Sequence, residues 1–190
     1  DLTWMIGPPL RHNFDRYGLP EHLYDEAIMA FRTRHTEIGL FEASLHDGVV
    51  DVLDQLVDHG IVLGLATAKP LDQAHITLEH FGIADRFTVV GAGIADGLPR
   101  SKGDVVADAL TELGHVAPLA GDVKVAMVGD RLHDIHGGRQ NGCVTVAVEW
   151  GYAEPGELDE HAPDHRVANR PELLDVLTRL HLDGTDEQVA

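Results

Sequence analysis

Asp130 and Asp134 stand four residues apart in Gly129-Asp130-Arg131-Leu132-His133-Asp134-Ile135, where a loop runs into a helix. That spacing can turn both carboxylates toward one point. Mg²⁺ prefers oxygen ligands and keeps several waters, so two carboxylates plus substrate oxygens are enough to hold it. The plainer alternative is that Asp134 is an acid favoured by the helix dipole and Asp130 a turn residue. Further upstream, Thr67-Ala68-Lys69-Pro70 follows an apolar run and leads into a helix. A hydroxyl and backbone amides, those of Thr67 and Ala68, suit a phosphate oxygen there, although Thr67 could simply cap the helix. Between these segments, Lys102 in Arg100-Ser101-Lys102-Gly103-Asp104 opens a helix. A cation at that end opposes the dipole, so an anionic partner would account for it, with an ordinary surface lysine as the alternative. The chain has only three lysines, Lys69, Lys102 and Lys124, against eleven arginines, and two of the three fall in these segments. A compact ammonium suits a single phosphoryl oxygen better than a planar fork.

The elements that must position these groups alternate. Residues 1–46 read as helical, with Leu23, Ala27, Ile28 and Phe31 at helical spacing. From residue 47 the expected order is a helix over 48–59, a strand over 61–66, a helix over 71–81 and a strand over 87–90. A helix over 103–113, a strand over 123–128, a helix over 134–141, a strand over 143–148 and a final helix over 171–180 follow. Strands alternating with helices predict an α/β fold with a doubly wound parallel sheet. Ile61-Val62-Leu63-Gly64-Leu65-Ala66 is apolar on both faces, as a central parallel strand covered on each side would be. Ligands in such sheets bind beyond the carboxyl ends of the strands, where the three segments fall.

Bulk properties narrow the partners. The 190 residues are 44% hydrophobic, enough for one core with perhaps a small inserted subdomain. A net charge of −18 argues against nucleic acid and anionic membrane surfaces. The single cysteine, Cys143, cannot form an internal disulfide, and no apolar run approaches the roughly 20 residues that cross a bilayer. A reducing, cytoplasmic setting is the expectation.

A Thr, a Lys and a pair of Asp at successive strand ends, in that order, resemble the haloacid dehalogenase superfamily, in its phosphoglycolate-phosphatase-like branch. LGLATAKP resembles its second motif, RSKGDVVADAL its lysine motif and VAMVGDRLHDIHGGRQNG its acidic fourth motif. IGPPL at 6–10 and WGYAEPGEL at 150–158 have the same look. The resemblance implies a Rossmannoid core over 47–182, lacking its first strand, a small helical cap over 1–46 and a tail over 183–190. It also implies Mg²⁺-dependent hydrolysis of a small phosphate monoester, phosphoglycolate-like or a nucleotide, through an aspartyl-phosphate. Thr67 would hydrogen-bond the phosphoryl group, Lys102 would neutralise it, Asp130 would bind Mg²⁺ and Asp134 would support the metal shell. Arg11, Arg32 and Arg34 in the cap are candidates for a substrate carboxylate, or simply an exposed helix face.

The family's Asp-x-Asp-Gly-Thr strand, bearing nucleophile and general acid, is expected before Asp1. Its lookalike His181-Leu182-Asp183-Gly184-Thr185 has His in the nucleophile's place and follows a helix. Transfer of the phosphoryl group to an acceptor hydroxyl, as by a phosphotransferase or protein kinase, and non-catalytic binding of a phosphorylated ligand remain open. Gly91-Ala92-Gly93-Ile94-Ala95-Asp96 lacks the third glycine of a dinucleotide fingerprint. Among thirteen histidines, His161 and His165 lie four apart without a second pair at zinc spacing. His133 and His136 flank the acidic motif, as surface residues or as groups that tune it.

Overall fold

The computed structural model describes residues 3–5, 10–95, 98–116 and 124–186. Two compact units form, Asp1–Ser44 and Leu45–Ala190. In the first, α1 (Leu10–Tyr17) and α2 (Tyr24–Glu37) are followed by a single 3₁₀ turn, Gly39–Phe41. Tyr24 is buried against Phe14, ring centroids 5.6 Å apart, and its hydroxyl donates to Asp15. That bond to a carboxylate pushes the Tyr24 pKa up to about 12.

The second unit runs α3 (Val49–Asp58), β1 (Gly64–Pro70), α4 (Leu71–His80), β2 (Val89–Ala95), β3 (Leu98–Pro99) and α5 (Lys102–Val116). It continues with β4 (Ala126–Gly129), α6 (Leu132–Gln140), β5 (Val144–Val148), α7 (Glu157–His161), β6 (His165–Val167) and α8 (Arg170–Asp186). The architecture is α/β with parallel strands and intervening helices, as the alternation requires. Helices α3 and α4 end alike. Gly60 and Gly82 take φ of 76° and 64°, and in each case the next residue's amide reaches back to Leu56 or Leu78 at 3.0 Å. Only glycine enters that left-handed region freely, so each helix stops where it must for a strand to follow.

The strands form two sheets of three, β1-β2-β3 and β4-β5-β6, with β2 and β3 antiparallel and every other pair parallel. The strand expected over 61–66 begins at Gly64 and runs on to Pro70, and along it no residue is fully buried. The expectation of a covered central strand is corrected for a definite reason. Among the described residues β1 pairs with β2 and β4 with β5, and side chains rather than backbone hydrogen bonds bring the two sheets together. Ile61, Leu63, Ala126 and Val128 all pack against a cluster of Val52, Leu56, Val146, Val167 and Leu173.

The short strands β3 and β6 and the five-residue α7 escaped sequence reading, being too short for a period to show. β6 is anchored by one carboxylate: Asp164 accepts from the amide of Thr145 at 2.8 Å and from its hydroxyl at 2.6 Å, and its own amide returns a bond at 3.0 Å. Those donors hold the Asp164 carboxyl below the usual carboxylate range. Asp164→Ala would strand the buried amide and hydroxyl of Thr145, costing about 1–3 kcal/mol in urea unfolding at neutral pH. Because the folded carboxyl has the lowered pKa, the wild-type advantage shrinks as pH falls through that pKa.

Candidate active site

β1 carries Thr67 at its midpoint, where its pairing with β2 becomes irregular, β4 ends one residue before Asp130, and α5 and α6 begin with the groups that join them. The β1–β2 register shifts between Thr67 and Pro70. In that irregular stretch the amide of Lys69 donates to Thr67 Oγ1 at 3.2 Å. Lys69 is half-buried, and burial pushes its ammonium pKa down. Ala68 is exposed, and its backbone lies so close to Gly93 that a Cβ there would come within 2.5 Å of the Ala68 Cα.

Lys102 is the link. From the first turn of α5 its Nζ lies 2.9 Å from Asp134 Oδ1 and donates to the carbonyl of Ala66 at 3.0 Å. Its side chain is 18% exposed and that of Asp134 11%, so the pair is shielded from water. The other oxygen, Asp134 Oδ2, accepts from the amides of Asp130 at 3.1 Å and Arg131 at 3.2 Å. Asp134 thus closes the capping box at the start of α6, as a third-position acid does. It therefore does what the plainer reading assigned to it and meets Lys102 as well. Asp130 Oδ2 accepts from the amide of Tyr152 at 2.6 Å. Thr67 (through Ala66), Lys102, Asp130 and Asp134 are in this way connected within one unit.

Sequence reading gave no role to Arg131, Gly151 or Glu157. Arg131 and Glu157 are buried, at 8% and 7% exposure, and pair through Arg131 Nε at 2.9 Å and 3.2 Å to the two carboxylate oxygens. Glu157 also accepts from the amides of Leu132 at 2.7 Å and Glu154 at 3.0 Å. The segment WGYAEPGEL that holds it was visible as a motif, but nothing local tells that its glutamate folds back 25 residues onto Leu132. Gly151 is present because of Asp130: a Cβ there would fall 2.1 Å from the Asp130 Cβ, and one on Gly129 would fall 2.3 Å from the Asp134 Cβ. Gly151→Ala is therefore expected to displace Asp130 from the Tyr152 amide and to destabilise the second unit by about 1–3 kcal/mol, read by urea unfolding against wild type.

Two carboxylates at a loop are oxygen donors of the kind Mg²⁺ takes, although among the described residues no group of three or more His, Cys, Asp or Glu is placed to hold an ion. That leaves room for the waters and substrate oxygens a hard cation keeps. The cap arginines lie in the first unit. Arg11 pairs with Asp25 at 2.7 Å, Arg34 pairs with Glu42 through two bonds, and Arg32 is exposed on α2. Residues 6–9 of IGPPL lie outside the described residues. The backbone of His181–Thr185 is helical, within α8, so the nucleophile lookalike is not a strand end. Gly91 and Gly93 lie in β2, away from any helix start.

The haloacid dehalogenase-like hydrolase family matches residues 1–148. Tyrosine-protein kinase PtkA of Mycobacterium tuberculosis is 38% identical over 158 residues, which are 83% of this chain and 52% of the kinase. The chain thus spans about half the length of that relative. A 5'-nucleotidase of Pseudomonas aeruginosa is 33% identical over 177 residues, 93% of this chain and 78% of that protein. Among solved structures, a haloacid dehalogenase-like family hydrolase of Streptococcus pneumoniae aligns with TM-score 0.81 at 25% identity, covering 92% of this chain and 79% of that one. The structure of M. tuberculosis PtkA aligns with TM-score 0.78 at 36% identity, covering 92% and 79%.

Proposed function

This chain belongs to the haloacid dehalogenase-like hydrolase family, and from that premise we propose that it carries the phosphate- and Mg²⁺-binding half of a phosphatase for small phosphate monoesters. The observation that carries the reading is the Lys102 ammonium, held between the Ala66 carbonyl beside Thr67 and the Asp134 carboxylate beside Asp130. It joins the ends of both half-sheets through an ion pair with Asp134, and in a chain whose net charge is −18 it would take Mg²⁺ on the carboxylates together with Lys102 to make a point of net positive charge. An anionic substrate needs such a point.

In the proposed reaction Thr67 Oγ1 and the Ala68 amide donate to phosphoryl oxygens, and Lys102 offsets the charge that grows on them in the transition state. Asp130 would hold Mg²⁺ with Asp134 supporting its shell, and the ion would supply further neutralisation of those oxygens. The attacking group would be an aspartate carboxylate, forming the aspartyl-phosphate that water then hydrolyses.

The test is Mg²⁺-dependent phosphate release from an aryl phosphate, phosphoglycolate and a nucleoside monophosphate, by the product of the complete gene and by residues 1–190 alone. Release by the first and not the second places the nucleophile outside residues 1–190, and release by both places it within them. No release by either sinks the phosphatase reading. The PtkA relatives favour one second reading, passage of the same phosphoryl group to a tyrosine hydroxyl. Labelled phosphate appearing on an added tyrosine peptide, at the expense of free phosphate, would decide for it.

A further inference from the structure

We infer that His136 and His161 form a two-histidine site for a late first-row divalent cation, Cu²⁺, Ni²⁺ or Zn²⁺, separate from the Mg²⁺ carboxylates. The two residues are 25 apart in sequence, one on α6 and the other ending α7, yet His136 Nε2 and His161 Nδ1 lie 3.1 Å apart. The ring planes cross at 87° with centroids 4.7 Å apart. An end-to-end N–H···N bond of that length would set the centroids about 5.4 Å apart, so the rings are bent toward each other. Two imidazole nitrogens each about 2.05 Å from one ion, with a separation of 3.1 Å, subtend about 100° at it and set the centroids about 4.8 Å apart. That angle lies between the square-planar and tetrahedral values. The observed spacing is thus that of a bidentate pair, reached without moving either ring.

The surroundings favour occupancy. His136 is exposed and His161 half-buried, so an ion can reach both. Arg139 donates to the carbonyls of His161, at 2.8 Å, and Ala162, which fixes the end of α7 before any ion arrives. On binding, each ring keeps its proton on its other nitrogen, Nδ1 of His136 and Nε2 of His161. Among the described residues no third His, Cys, Asp or Glu completes a larger cluster, so water fills the remaining positions and the affinity is moderate. Imidazole ligands select against Mg²⁺.

The full chain, with excess Mg²⁺ present to occupy the carboxylates, is titrated with Ni²⁺ in a calorimeter. One Ni²⁺ per chain is expected in the micromolar range, weakened by about tenfold or more in His136→Ala and in His161→Ala and unchanged in His133→Ala and His165→Ala. Ni²⁺ should also raise the unfolding temperature of wild type and of neither α6 nor α7 variant. If one variant fails to fold, the other on its separate helix carries the test. Absence of Ni²⁺ binding by wild type, or wild-type affinity in both His136→Ala and His161→Ala, overturns the site.

Discussion

Lys102→Met is expected to lower the proposed phosphate release by about 10²–10³-fold, the loss found when one preorganised donor to a transition-state oxyanion is removed. The geometry makes the loss specific to charge. Nζ reaches both the Ala66 carbonyl and Asp134 Oδ1 from a side chain only 18% exposed, so its hydrogen bonds are already formed before substrate arrives. Lys102→Arg should not restore activity, because a planar guanidinium cannot take the place of a compact ammonium that meets the Ala66 carbonyl at 3.0 Å and Asp134 Oδ1 at 2.9 Å. Steady-state kinetics on both variants, with far-ultraviolet circular dichroism to confirm folding, measure this. Activity within threefold of wild type in Lys102→Met would remove Lys102 from the proposed chemistry.

Much of this arrangement was legible in the sequence because it depends on order along the chain. Thr67, Lys102 and Asp130 each follow or precede a periodic segment, and a parallel α/β topology brings consecutive strand ends to one edge whatever the details. The helices over 48–59 and 71–81 were placed within a residue or two because their apolar spacing and closing glycines agree. What could not be read was contact at a distance. Glu157 is one acid among 32 until it meets Arg131, and His136 and His161 are ordinary surface histidines until α6 and α7 are packed together. The division into two sheets was illegible for another reason. The apolar run Ile61–Ala66 has the composition of a covered central strand, yet what covers a strand depends on its pairing partners, and composition does not encode those.

Glu157→Gln is expected to destabilise the second unit by about 3–5 kcal/mol at pH 7, the cost of removing one partner from a buried ion pair. Shape is conserved, so the lost charge is what the variant reports. Burial alone would push the Glu157 carboxyl pKa up, but the Arg131 guanidinium and the amides of Leu132 and Glu154 outweigh it and hold the pKa below the usual carboxylate range. The sign follows from that direction. A carboxyl whose folded pKa lies below its unfolded one contributes stability in full above the unfolded value and loses it as pH falls through the folded value. The gap between wild type and Glu157→Gln in urea unfolding should therefore be widest near neutrality and close toward strongly acid pH. The same variant tests position as well as stability. Arg131 is the N-cap of α6 and sits between Asp130 and the helix whose third residue is Asp134, so releasing it lets the two carboxylates move independently. Mg²⁺ affinity should fall together with stability, whereas a purely structural ion pair would leave the affinity of the remaining folded protein unchanged.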